Sequence, residues 1–330
     1  MSLVLDLSAI GDRGFVIEGK PDDFAGGDVS SAGDVNGDGF DDVIVVAERN
    51  GDRDQVYLIF GKASGFGAID LGNITPSDGF AIQADLPYFN VSGAGDINGD
   101  GFDDFIIGKS GGHYAGGLVI GGTPSAYLIF GKPAGTVSLD LEHLAPSDGF
   151  IINGKPSGFV SHLVVSDAGD INGDGFADII VGSSRDYDNA GAAFVIFGKA
   201  DAFNTIDLSN FGASAGFIIK GEATGDSAGY DVSGAGDVNG DGFDDLIIGA
   251  FGENQAGHNA GAAYVVFGKA DGFGTVNLAD LVSSTGFKIL AEVAGDLAFG
   301  SVSSAGDVNG DGFAPPVLPR PELETVIHER

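Results

Sequence analysis

The chain has 330 residues, 58 of them Gly and none Cys, with 15 basic against 48 acidic side chains. A net charge of −33 argues against nucleic acid and anionic membrane as partners, since both are polyanions, and without Cys no disulfide framework holds the fold. The hydrophobic share of 43% with 25 Phe argues for a packed core, while apolar runs of about six residues are far too short to enter and cross a bilayer.

In chain order, residues 1–13 lack the basic leader and apolar stretch of a signal peptide. LDL at residues 5–7 and GFVIEGK at 14–20 follow, and from there one unit recurs. Its first segment is rich in small residues, at 26–34, 90–96, 163–170, 230–237 and 300–307. An acidic loop comes next, and then a second segment at 42–47 (DVIVVA), 104–109, 178–183 and 245–250. The third lies at 55–62 (QVYLIFGK), 126–132, 193–199 and 263–269. The fourth, of the GFVIEGK type, lies at 14–20, 79–85, 149–155, 216–222 and 286–292. Between third and fourth runs a variable stretch with IDL, LDL or VNL at 69–71, 139–141, 206–208 and 276–278.

These segments are short, β-branched or aromatic and bounded by Gly, which predicts strands. The second and third are continuously apolar, as strands covered on both faces are. Small residues in the first suit strands crowded at an axis. The expected fold is therefore all-β: a β-propeller of four-stranded antiparallel blades. About five blades are expected, four complete and the last incomplete. The propeller spans residues 1–313, with strand 14–20 completing the last blade. Residues 314–330 form a Pro-rich tail unrelated to the repeat, in which ETVIHE at 324–329 is long enough for one strand.

The acidic loop is the most regular part. DVNGDGFDD at 34–42 returns at 96, 170 and 237, and a fifth copy from Asp307 breaks off after Phe313; the spacings are 62, 74, 67 and 70 residues. Oxygen-bearing side chains stand at positions 1, 3, 5 and 9, with Gly at 4 and 6. A hard cation such as calcium takes six to eight oxygens, and alternate residues of a tight loop can aim theirs at one point. The side-chain candidates are Asp34, Asn36, Asp38 and Asp42; Asp96, Asn98, Asp100 and Asp104; Asp170, Asn172, Asp174 and Asp178; and Asp237, Asn239, Asp241 and Asp245. The position-7 carbonyls of Phe40, Phe102, Phe176 and Phe243 are a fifth ligand for each loop. A solvated Asp/Asn/Gly turn is the competing reading for one loop, but four copies in one ligand register argue against it. An EF-hand needs Glu at position 12, where Val45, Ile107, Val181 and Ile248 stand. Four calcium ions per chain are expected, with none or a weakly held one at the fifth loop, whose position 9 is Pro315.

With loop, strands and period in place, residues 14–313 resemble FG-GAP repeats, the units of the integrin alpha-subunit propeller. Phe299-Gly300 matches the FG element, and Gly249-Ala250 matches part of GAP without its Pro. The DxNxDGxxD loop is met four times. The resemblance implies a calcium-loaded propeller, extracellular or at the cell surface, that serves adhesion or ligand binding. It implies calcium loops on one rim, joining first to second strands, and partners on the opposite rim. That rim would hold residues 48–54, 110–124, 184–189 and 251–259, with Phe24, Tyr88, Phe89, Phe159 and Tyr230 from the loops between fourth and first strands. Integrin propellers have seven blades, so ligand identity does not carry over. A protein or glycan ligand is expected, with a lectin-like propeller or a piece of a larger secreted repeat protein or hydrolase as alternatives. No enzyme is expected of the chain itself. It has no GxSxG, no HExxH and no Cys nucleophile, and His113, His143, His162, His258 and His328 take no repeated position.

Overall fold

A computed structural model describes residues 14–21, 23–49, 55–63, 67–83, 89–115, 118–133, 139–156, 161–307 and 316–317. Four antiparallel sheets follow one another along the chain. Sheet one holds Asp23–Gly33, Asp42–Arg49, Gln55–Ile59 and Gly79–Gln83, paired in that order. Sheet two holds Phe89–Gly95, Asp104–Lys109, Ser125–Ile129 and Gly149–Asn153. Sheet three holds Val164–Gly169, Asp178–Ser183, Ala192–Ile196 and Gly216–Lys220. Sheet four holds Asp231–Gly236, Asp245–Ala250, Ala262–Val266 and Gly286–Leu290.

The continuously apolar strands are buried from end to end, as expected of strands covered on both faces. Between sheets two and three, Ile106, Leu128, Phe150 and Ile152 meet Ile179, Val181, Phe194 and Ile196, none more than 4% exposed. Each such side chain removed from water contributes roughly 1.5–3 kcal/mol. The first strands of consecutive sheets run beside one another. Their small residues are a steric need: a Cβ on Gly93 would stand 2.9 Å from the Ser31 carbonyl oxygen of the neighbouring first strand. The result is an all-β stack of four- and five-stranded sheets, the arrangement a β-propeller requires.

Sheets one, two and three each gain an edge that periodicity alone does not reveal. Leu139–Asp140, from the variable stretch of sheet two, pairs in parallel with the fourth strand of sheet one. Ile206–Asp207 and Val276–Asn277 do the same for sheets two and three. Ile69–Asp70 pairs in this way with Ile17–Glu18. Relative to sheet one, the N-terminal strand therefore stands where the fourth strands of sheets one, two and three stand relative to the sheet that follows each of them. Beyond sheet four, Ser303–Ser304 pairs with Pro316–Val317, so two residues of the Pro-rich tail join the start of a further sheet. The ETVIHE stretch lies outside the described residues.

Two faces at the ends of the stack are open. Val29 is 57% exposed, whereas its counterparts Val91, Val165, Val232 and Val302 are 6% or less. Phe287 is 38% exposed against 7% or less for Phe80, Phe150 and Phe217.

Candidate metal centre

Each acidic loop joins the first and second strands of its sheet, and its side chains are held by the loop's own amides. Asp96 shows the pattern: Oδ1 accepts from the Gly99 and Asp100 N–H groups (2.7 and 3.0 Å) and Oδ2 from Gly101 (2.8 Å). The Asn98 Oδ1 also accepts from Asp100 N–H (2.8 Å), and Asp100 Oδ1 accepts from Phe102 N–H (3.0 Å). The other three loops repeat the bonds from positions 5, 6 and 7 at Asp34, Asn36 and Asp38, at Asp170, Asn172 and Asp174, and at Asp237, Asn239 and Asp241, and the fourth loop repeats the position-4 bond as well, from Gly240 to Asp237. A carboxylate that accepts from amides on one side keeps lone pairs for a cation on the other.

Position 9 is different, because it is fully buried. Asp42, Asp104, Asp178 and Asp245 are all 0% exposed. One oxygen of each accepts from the position-2 N–H of its loop (Val35, Ile97, Ile171, Val238), at 2.9–3.2 Å. The other accepts from the Gly two residues beyond the third strand (Gly61, Gly131, Gly198, Gly268), at 2.8–2.9 Å. The side chain thus clasps the loop to its own sheet. Burial pushes these carboxyls up, to about 6 for Asp42 and Asp245 and about 8 for Asp104 and Asp178. The loop's other carboxylates push the same way and the two amides oppose.

Positions 4, 7 and 8 act between repeats, which a reading of one loop misses. The Phe102 ring lies over Gly37 of the preceding loop, where a Cβ would meet it at 2.5 Å; Phe176 covers Gly99 and Phe243 covers Gly173 in the same way. These glycines also carry φ near +72°, so position 4 admits no other residue easily. At position 8, Asp103 Oδ2 accepts from the Asp34 N–H (2.7 Å) and Asp244 Oδ2 from Asp170 (2.8 Å); the third copy has Ala177 there. The phenylalanines assigned a role through their carbonyls therefore have one through their rings as well. The sequence sign of these roles is the repetition of Phe and Asp at positions where calcium asks for neither side chain.

Among the described residues, no three carboxylate or imidazole side chains converge closely enough to ligate one ion. The fit to a hard cation is one of chemistry. Each loop carries three carboxylates and an amide, and none of its described carboxylates is in an ion pair with Lys, Arg or His. The fifth loop beyond Asp307 lies outside the described residues.

The raised position-9 carboxyls set a pH dependence. Their folded values lie above the unfolded value of about 3.9, so the folded state holds protons that the unfolded chain has released. Their contribution to stability is complete below about pH 4 and is lost as pH rises through 6 to 8. Chelated protein should therefore melt lower at pH 8.5 than at pH 5, and Asp104→Asn should flatten that slope. A chelated melting temperature that rises over this range would contradict the assignment.

On the opposite rim, Tyr230 is 39% exposed and lies edge-on to Phe251 (4.4 Å) and His162 (6.3 Å), while Phe24 is 61% exposed. Tyr88, Phe159 and residues 50–54 fall outside the described residues, as do 116–117 within the 110–124 loop. That loop forms a hairpin of Gly112–Ala115 with Leu118–Gly121. In the 184–189 loop, Tyr187, Asp188 and Asn189 all have positive φ (50–63°). Tyr187 is exposed, with the Lys155 and Lys220 ammoniums 4.5 and 4.7 Å from its ring centroid. A left-handed backbone costs an L-residue roughly 1–2 kcal/mol, and three in succession are strain that this rim stores. Between sheets three and four, Lys288 binds Glu222, Glu253 and Gln255 at 2.7–3.0 Å, a network whose members lie far apart in sequence.

Comparison with known proteins gives two kinds of match. Residues 165–196 and 228–266 match the FG-GAP repeat model. A phosphatidylinositol-glycan-specific phospholipase D from Bos taurus is 31% identical over 173 residues, half of this chain and 19% of that protein. Integrin alpha pat-2 of Caenorhabditis briggsae is 27% identical over 237 residues, 70% of this chain and 18% of that protein. Integrin alpha-V of Gallus gallus is 29% identical over 236 residues, 68% of this chain and 20% of that protein. The chain thus spans about a fifth of the length of these relatives.

Proposed function

From a chain built of FG-GAP repeats with an integrin alpha-like fold, we propose a calcium-stabilised binding module of the adhesion type, acting outside the cell or at its surface through the rim opposite the acidic loops. The observation that carries the binding role is Tyr187, an exposed aromatic on a rim loop held at φ 50°. Strain of this kind persists where a site uses the geometry. The chain itself is assigned no catalysis; in the phospholipase D relative the shared stretch is 19% of the protein.

In this reading each loop holds one calcium through its side chains at positions 1, 3, 5 and 9 and the carbonyl at position 7. The ion supplies two positive charges to a cluster of three carboxylates that otherwise repel one another. What supports it is the spacing, the amide-braced acceptors and the absence of basic partners among the described residues. No redox or Lewis-acid role is needed.

The rim is tested by coating a surface with the full chain in calcium and measuring the retention of cells. Tyr187→Gly should keep or raise the melting temperature, because Gly relieves the left-handed strain, and should lower retention together with Tyr230→Ala. Equal retention by the variants would remove the rim from the function.

The same reading closes the stack into a five-bladed ring in which the last blade, with residues 14–20 as its fourth strand, covers the faces open at Val29 and Phe287. Its support is the parallel pairing of Ile17–Glu18 with Ile69–Asp70, the same pairing that the fourth strands of sheets one, two and three make with the next variable stretch. Deleting residues 314–330 removes the partner of Ser303–Ser304 and should produce dimers or aggregates through open strand edges. A deleted chain that stays monomeric and melts unchanged would deny the tail this part.

A further inference from the structure

The end of the third strand carries the same FGK sequence in every sheet, and its Lys has a repeated partner in only two of them. The structural equivalence is fixed by one backbone bond: the Phe60, Phe130, Phe197 and Phe267 N–H groups donate to the carbonyls of Asp78, Asp148, Ala215 and Thr285, at 2.9–3.1 Å. In sheet one Lys62 pairs with Asp78 at 2.9 Å, and in sheet two Lys132 pairs with Asp148. In sheet four the carboxylate is replaced by Thr285, whose hydroxyl is spent on the Val282 carbonyl (3.1 Å). The Lys269 ammonium is left with the Gly272 carbonyl (3.3 Å) and the face of Phe273 (5.0 Å).

There the outer edge of sheet four opens into a cleft of about 350 Å³, lined by Lys269, Phe273, Asn277, Asp280, Ser284 and, from the fourth acidic loop, Asp241, whose charge the bound calcium of the proposed function offsets. That volume lies at the small end of ligand sites. Phe273 is braced from behind by stacking on Phe217, with ring centroids 4.4 Å apart. The Asn277 amide donates to Asp280 Oδ2 (3.2 Å), so the carbonyl oxygen of Asn277 and the other carboxylate oxygen of Asp280 remain acceptors. In sheet three Lys199 likewise faces Ala215 in place of Asp, but Phe203 is only 8% exposed and packs between Phe130 and Phe150.

We propose that this cleft binds a hexuronic acid. The ligand carboxylate takes the place on Lys269 that the Asp78 and Asp148 side chains hold on Lys62 and Lys132. The ring hydroxyls donate to Asp280 and Asn277 and exchange bonds with Ser284. A carboxylate is favoured because the ammonium lacks the partner it has in sheets one and two. A sugar acid is favoured over a bare carboxylate because hydroxyl-matching acceptors stand beside the cation. A single sugar suits the site better than a polyanionic chain, which the −33 charge of the whole molecule repels. The cleft lies away from the opposite rim, so this site stands or falls independently of adhesion.

The test uses the full chain in saturating calcium with sodium galacturonate and glucuronate, followed by saturation-transfer NMR. Both acids, or one, should give transfer at millimolar concentrations. Galactose, glucose and acetate should bind at least about tenfold more weakly. Thr285→Asp, which installs the ion pair of sheets one and two, and Lys269→Gln should each weaken uronate binding by about tenfold or more, with the calcium-loaded melt unchanged. Absence of transfer at tens of millimolar, equal binding of the neutral hexoses or of acetate, or full binding by folded Thr285→Asp would each overturn the proposal.

Discussion

Millimolar calcium added to the chelated protein should raise its melting temperature by roughly 6 °C. The figure follows from mass action: a ligand that binds only the folded state stabilises it by RT ln(1 + [L]/Kd). With Kd near 10⁻⁴–10⁻³ M, as in extracellular calcium modules, each loop gains about 1 kcal/mol. Four loops give about 4 kcal/mol, and at about 2.1 cal/mol/K of unfolding entropy per residue each kcal/mol moves the melt of a 330-residue chain by about 1.5 °C. Magnesium should do much less, because it demands a smaller octahedral cage and sheds water reluctantly. Titration should count four ions per chain. A melt indifferent to chelator would sink the metal reading, and a fifth ion held as firmly as the others would show that Pro315 at position 9 matters little.

The strands were legible because this fold announces itself in an unusual way. A strand buried on both faces reads as a short apolar run, as DLIIGA and AYVVFGK do, and the small-residue DVSGAG and the GFIIKG stretches recur beside them in each repeat. What was not legible is whatever depends on two repeats meeting. The Phe102 ring over Gly37 joins residues of consecutive copies, and so does the Asp103 carboxylate on the Asp34 amide. No spacing within one loop encodes either contact. The parallel edge pairs, such as Leu139–Asp140, were hidden for another reason: two residues are too few to carry a period. The same limit applies to Lys269 and Thr285, whose meaning appears only when four copies are superposed by their backbone bonds. Spacing within the acidic loop marks its ligands, whereas the second employment of position 9, as a clasp within the sheet, depends on a Gly 19–27 residues further on.

That second employment separates two substitutions that a pure ligand reading treats alike. Asp100, at position 5, is exposed; its loss frees the Phe102 N–H and the Asn98 side-chain amide at the surface, where water replaces both bonds. Asp100→Ala should therefore leave the chelated melt within about 1 kcal/mol of the parent while reducing the calcium-dependent gain by roughly a quarter. Asp104, at position 9, is 0% exposed and accepts from both the Ile97 and Gly131 amides, at 3.0 and 2.8 Å. Asp104→Ala strands two buried N–H groups, each costing about 1–3 kcal/mol, in a place water reaches poorly. Removing the buried charge returns part of that cost at pH 8, where the Asp104 carboxyl, with a value of about 8, is half ionised. The net expectation is a loss of about 3 kcal/mol in chelator, with one calcium lost on top. Asp104→Asn keeps an acceptor for one amide and should fall between the two. Thermal melts of the three variants, each with chelator and with calcium, decide the matter. Equal chelated melts for Asp100→Ala and Asp104→Ala would remove the clasp, and a full calcium gain in Asp100→Ala would remove that side chain from the metal.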